Sequence, residues 1–162
     1  MSQADDNSAL IRRFYEAFDQ GNGAAMAAAY APDARFEDPV FGELTGLQAG
    51  AMWRMFTSRP GSDLGVELPE HEAGDATGAA HWIARYTFAP TGRRVVNDIH
   101  ARFRFAGGRV IEHTDKFSFW SWSRQALGPI GTLVGWTPVL RRALRRKARA
   151  DLAKFMHGTA QD

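Results

Sequence analysis

Residues 94–119 alternate apolar and polar side chains with a period of two, a pattern that only β-strands can accommodate. Over residues 94–105 the row Val95, Asn97, Ile99, Ala101, Phe103 and Phe105 is apolar except for Asn97. Its complement, Asp98, His100, Arg102 and Arg104, is charged. Over residues 108–119, Ile111, His113, Asp115, Phe117 and Phe119 share one face, and Val110, Glu112, Thr114, Lys116 and Ser118 share the other. The first of these faces is apolar but for an imidazole and a carboxylate two residues apart. Both carry a desolvation cost on a core-facing row, so they need partners or a chemical role. A three-residue turn, Ala106-Gly107-Gly108, joins the strands and keeps the apolar rows together. It predicts Phe103 opposite Ile111, Ala101 opposite His113 and Ile99 opposite Asp115.

The remaining elements follow from period and punctuation. Leu10, Ile11, Phe14, Ala17 and Phe18 recur at helical spacing, with Ser8 as N-cap and Gly21-Asn22-Gly23 as the stop. A short alanine-rich helix over 24–30, a strand over 34–38, a loop over 40–46 and a helix carrying Ala49, Met52, Trp53 and Phe56 come next. Strands are predicted over 63–73 and 79–88, the second with the apolar row Trp82, Ala84, Tyr86 and Phe88. Helices first and an antiparallel meander afterwards is an α+β pattern, with the helices packed on one face of the sheet.

The 162 residues suit one domain. The division expected is 1–122 for the main body and 123–162 for an apolar segment with a basic helix, part of the same domain or of a dimer interface. There is no cysteine, which excludes thiolate and disulfide chemistry. The start of the sequence lacks a basic and then apolar leader, and no apolar run is long enough to cross a bilayer, so a cytoplasmic location is expected. Residues 1–140 hold 13 Lys and Arg against 16 Asp and Glu, while residues 141–162 hold 7 against 2. The basic character therefore belongs to the tail, and no nucleic-acid partner is expected.

The order of elements, with Phe36-Glu37-Asp38-Pro39 followed by Gly42 and Gly46, and Gly108-Arg109-Val110 followed by His113 and Asp115, resembles the nuclear transport factor 2-like superfamily. Within it the chain looks like the SnoaL-like and ketosteroid-isomerase-like branch. The resemblance covers about residues 8–122. It implies a cone-like curved antiparallel sheet with N-terminal helices on its concave face, the cystatin-like roll. The same fold serves isomerases, cyclases, epoxide hydrolases, dehydratases and binding proteins. The resemblance places Asp38 where ketosteroid isomerases keep their general base, Phe14 at the position of the tyrosine oxyanion donor, and Ala101 at that of the second, acidic donor. Limonene-epoxide hydrolases are similar at Asp115, while their arginine and second aspartate fall at Trp82 and Ala84.

Asp38, Asp115 and His113 are accordingly the candidate catalytic residues. The strand rise separates His113 and Asp115 by roughly 6.6–6.8 Å, a gap suited to a bridging water or substrate atom. Burial would raise an aspartate toward a useful range for proton transfer. Phe14, Tyr15, Trp53, Trp82, Tyr86, Asn97 and Phe117 are the expected lining of an apolar cavity for a small organic molecule. No metal and no cofactor is expected: His113, Asp115 and Asp38 offer a nitrogen and two carboxylates, but no histidine pair has ligand spacing. Isomerase- or cyclase-like proton transfer is the leading function. A non-catalytic binding protein and an epoxide-hydrolase-like enzyme are the alternatives. A homodimer is expected. Leu140, Leu144, Ala148 and Leu152 form a stripe in the basic helix, favouring packing on the body over peripheral contact with a membrane.

Overall fold

The computed structural model describes residues 1–160. Helix α1 (Gln3–Asp19) leads into α2 (Gly23–Ala28), β1 (Tyr30–Asp38), β2 (Gly42–Thr45) and α3 (Gly46–Thr57). Strands β3 (Gly65–Ala73), β4 (Thr77–Phe88), β5 (Arg93–Ala106) and β6 (Arg109–Lys116) follow, then α4 (Phe119–Leu127), α5 (Pro129–Val134) and α6 (Pro138–Thr159). The six strands make one curved, unclosed sheet in the order β2-β1-β6-β5-β4-β3, with the N-terminal helices against it. Every pairing is antiparallel except β1 with β6.

Helix α1 starts six residues before the expected Ser8 cap would allow. Ser2 caps it in a reciprocal capping box with Asp5, and buried Asn7 donates to the Gly74 and Asp75 carbonyls in the β3–β4 hairpin. These polar devices leave no trace in an apolar periodicity. Strand β1 also begins earlier than expected, at Tyr30, because a register shift between Tyr30 and Arg35 absorbs Pro32, which could not sit in regular pairing. The region read as a loop contains β2, paired Phe36 to Leu44 and Asp38 to Gly42.

The alternation in β5 is realised as written. Val95, Asn97, Ile99, Ala101, Phe103 and Phe105 are all buried, and the residues between them are exposed. The register of the next hairpin differs from expectation. Gly107 and Gly108, with φ of 57° and 73°, form a two-residue turn, and a bulge at Ile111 restores the match of faces. Phe103 therefore opposes His113, Ala101 opposes Asp115, and Val110 is buried opposite Phe105. Beyond the end of β6, the Gln125 side chain of α4 accepts from Val96 N at 2.8 Å and donates to Val96 O at 3.0 Å, standing in for a missing strand.

Helix α6 folds back onto this body. Leu152 is 3% exposed, and Ala148, Phe155 and Met156 pack beside it on the main core, with Leu144 on a smaller cluster around Val95, Phe119 and Trp122. Its arginines are not all solvated. Arg145 donates to Val40 O and Pro39 O, and Arg149 to Phe41 O and Glu43 O, so α6 grips the β1–β2 turn from outside. Leu152→Ala should lower stability by about 2–5 kcal/mol in urea unfolding, as expected for a large buried aliphatic residue. A loss under about 0.5 kcal/mol would mean that α6 does not contribute to the folded body.

Candidate active site

The alternation of β6 delivers His113 and Asp115 to the concave face, 1% and 4% exposed. Their neighbours are almost all aromatic. Phe103 lies 4.3 Å from the His113 ring, Phe36 meets it edge-on at 5.0 Å, and Trp53 stacks on it at 6.3 Å. Such surroundings solvate neither group, so the demand falls on hydrogen bonds. His113 Nε2 lies 2.9 Å from Asp115 Oδ1, and Trp82 Nε1 donates to the same oxygen at 3.4 Å. On the other side Tyr30 Oη lies 2.7 Å from His113 Nδ1 and accepts from Trp53 Nε1 at 2.9 Å. If Tyr30 donates to Nδ1 and Nε2–H donates to Asp115, every proton in the row Trp53–Tyr30–His113–Asp115 has an acceptor. The direct His113–Asp115 bond replaces the bridged gap expected from strand rise. The side chains lean toward each other along the strand and close it.

Tyr30 was not among the residues expected here. At the end of an expected helix it has no face, and only the earlier start of β1 points it into the cone. Its hydroxyl and that of Tyr15 are pushed well above the usual phenol range, mainly by burial, so both remain protonated donors. Among the described residues, Tyr15 Oη is the fully buried side-chain polar atom with no hydrogen-bond partner. The Asp115 carboxylate is near enough to add to the shift of Tyr15.

Asp38 ends β1 one step beyond the Glu37–Thr114 pair, so the parallel register brings it alongside Asp115 on the concave face. Oδ1 accepts from Val40 N at 2.9 Å and Phe41 N at 2.5 Å, which also makes it a turn residue. It is half-buried by surface, yet the protein matter packed around it raises the carboxyl to about 7. Burial is the largest cause and the charge of Asp115 adds to it, while the two backbone donors and Arg145 oppose it. Desolvation and a like charge both disfavour the ionised form, and together they outweigh the donors.

The expected lining residues fall in three places. Phe14, Tyr15, Trp53 and Trp82 surround the pair, interlocked at 5.7 Å for Phe14–Trp53 and 5.3 Å for Tyr15–Trp82. Their rings fill the deep part of the cone that the sequence suggested would be open. Tyr86 and Phe117 lie instead where the two apolar clusters meet, beside half-buried Val40, and Tyr86 accepts from Trp122 Nε1 at 2.7 Å. Asn97 is buried, but it sits four positions along β5 from Ala101, the residue opposite Asp115, and does not join the row. A depression of about 520 Å³ opens on the outer face of the sheet among Glu72, Arg102, Arg104 and Glu112, on the opposite side from the buried pair. Also on that face, His81, Asp98 and His100 form a cluster of potential metal ligands, the two imidazoles stacked at 4.7 Å.

A SnoaL-like domain profile matches residues 11–113. The chain belongs to the SnoaL-like domain family. No curated protein sequence matches it. Among solved structures, the chain is similar to a protein provisionally assigned as a SnoaL-like polyketide cyclase from Jannaschia sp. CCS1, with 14% identity and a TM-score of 0.68 over 80% of this chain and 96% of that one. It is also similar to an LEH-like epoxide hydrolase from M. tuberculosis (18% identity, TM-score 0.65, 81% and 96% covered). A third is a protein of ketosteroid isomerase-like fold from Catenulispora acidiphila DSM 44928, solved with trimethylamine (17% identity, TM-score 0.65, 80% and 97% covered). At these identities the likeness concerns the fold.

The raised carboxyl of Asp38 has a measurable consequence. The unfolded chain releases this proton near pH 3.9, whereas the folded chain holds it to about pH 7. The folded state therefore binds more protons between these values, and this group's contribution to stability falls as pH rises through that window. Asp38→Asn keeps the acceptor for Val40 and Phe41 but cannot titrate. Urea midpoints measured from pH 4 to 8 should show the variant gaining on the parent as pH rises. Parallel curves would mean that Asp38 titrates as an ordinary carboxylate.

Proposed function

We propose that this SnoaL-like chain binds a small apolar organic molecule and moves a proton at a carbonyl or enol, in the manner of an isomerase or cyclase. The observation that carries the reading is Asp38: a half-buried carboxyl raised to about 7, aligned by strand register with the buried Asp115–His113–Tyr30 row. A base poised near neutral pH combines a usable ionised fraction with enough basicity to take a weakly acidic proton. The ligand enters along the seam between the two apolar clusters, where Val40, Tyr86 and Phe117 are half-buried.

In the proposed step Asp38 removes a proton from the carbon next to a carbonyl, and the released electron pair moves onto the carbonyl oxygen. Tyr15, a protonated hydroxyl without a partner, donates to that oxygen as charge develops. Asp115 and His113 form the orienting pair, and Tyr30 and Trp82 hold their geometry. Return of the proton to another carbon gives isomerisation; attack of the enolate on a second carbonyl gives ring closure. The Asp38 position supports the comparison with ketosteroid isomerases, although Phe14 and Ala101 leave out both of their oxyanion donors. Trp82 and Ala84 likewise leave out the partners that an epoxide hydrolase of the limonene type uses, which ranks that chemistry lower. The filled interior favours one rival, a non-catalytic interaction protein that has kept the cone without its chemistry.

Native mass spectrometry of the purified protein would identify a resident molecule, and ketone or enone probes in D2O would report α-proton exchange by NMR. The parent should accelerate exchange, and Asp38→Asn should slow it by about 100- to 10,000-fold with probe binding retained. Probes that bind while exchanging at the same rate with parent, Asp38→Asn and Asp115→Asn would establish the non-catalytic reading instead.

A further inference from the structure

Helix α5 is packed with its small side inward. Gly131 and Gly135 face α4 so closely that a Cβ on Gly131 would lie 1.9 Å from Ser123 O, and one on Gly135 2.0 Å from Ser123 Oγ. The large side chains consequently point away from the body. Ile130 is 66% exposed, Leu133 72%, and Val134 shares their stripe at i+3 and i+4. Beyond α5, Trp136 is 71% exposed and Val139, in the first turn of α6, 74%. Trp136 Nε1 donates to Leu133 O at 2.9 Å, and Trp120 Nε1 to Thr132 O at 3.2 Å. The indole protons are satisfied while the Trp136 ring stays outside. Scattered exposed aliphatics are ordinary on a protein surface, but five large ones within ten residues, held outward by a glycine contact, form a patch.

The charge along this part of the chain has one sign. From Lys116 to Ala150 there is no Asp or Glu, and there are eight Lys and Arg. Arg124 lies over the Trp120 ring and Arg141 over Phe119, each at 5.0 Å, while Arg142 and Arg146 are exposed on α6. We propose that α5 and the first turn of α6 form a docking surface for an anionic lipid bilayer, with Leu133, Trp136 and Val139 entering the headgroup region and the flanking arginines meeting lipid phosphates and carboxylates. A tryptophan and aliphatic tip ringed by arginine suits an interface that is apolar below and negatively charged above. A second copy of the chain suits it less, because the patch meeting itself would oppose the arginines of one copy to those of the other. No described helix is long and apolar enough to cross a membrane, so the contact is peripheral. The sequence had offered membrane contact on the stripe of the basic helix. Leu144, Ala148 and Leu152 of that stripe pack on the body, and the exposed apolar surface lies just before it.

Flotation of the full chain with phosphatidylcholine vesicles, with and without phosphatidylserine, tests this. The parent should float with the anionic vesicles at low salt, stay behind with the neutral ones, and be released by salt. Leu133→Gln with Trp136→Gln alters only exposed side chains and should abolish flotation with an unchanged melting temperature. Arg142→Gln with Arg146→Gln should weaken it by about 25-fold, from about 1 kcal/mol for each basic residue. Failure of the parent to float with anionic vesicles, or equal flotation by the Leu133/Trp136 variant, would overturn the proposal. So would a dimer in light scattering that this variant converts to monomer while the parent ignores vesicles, since the patch would then be a contact between copies.

Discussion

An ionisable pair buried among aromatic rings has to find all its partners within the protein, and here the architecture is arranged to supply them. Tyr30 comes from β1, Trp53 from α3, Trp82 from β4, and the pair itself from β6. No one of these elements can shift without breaking a hydrogen bond that water cannot replace. Leaving a buried donor or acceptor unpaired costs about 1–3 kcal/mol, and more when it is charged. The row thus fixes how the α3 helix, the first strand and the central hairpin sit relative to one another, in a core whose ring contacts alone would tolerate sliding.

This constraint also separates the two aspartates. Asp115 is held by His113 and Trp82 deep in the cone, whereas Asp38 sits at the rim with one oxygen committed to a turn and a carboxyl that desolvation keeps near neutrality. Two like charges side by side on parallel strands are unfavourable, and leaving one of them protonated is the least costly resolution. The less tightly held one is Asp38. Arg145 partly offsets the effect from α6, which links the tail outside the matched family region to the electrostatics of the site.

Much of this was legible in the sequence, for a physical reason. Side-chain alternation admits no compromise, so the buried row of β5 and the inward placement of His113 and Asp115 could be read directly. What could not be read depends on backbone detail. The paired positive φ values at Gly107 and Gly108 and the bulge at Ile111 shift the register by two residues while preserving the faces. The role of Tyr30 was hidden by Pro32, which reads as a break and is accommodated as a bulge. The reach of one side chain toward another two residues on, which closes His113 onto Asp115, is likewise absent from a count of strand rise.

The single parallel pairing has a consequence for biosynthesis. β1 finds its inner neighbour only in β6, with β2, α3 and the three strands β3 to β5 made in between. A chain emerging from the ribosome has Tyr30 and Asp38 in hand long before His113 and Asp115 are made, and the inner edge of β1 stays open until Lys116 has been released. Contacts so distant in sequence are slow to form, and an unpaired strand edge is a template for misassociation. Helices α2 and α3 pack against β1 from nearby sequence, so its face can be covered early while its inner edge, the last seam of the sheet, waits for β6.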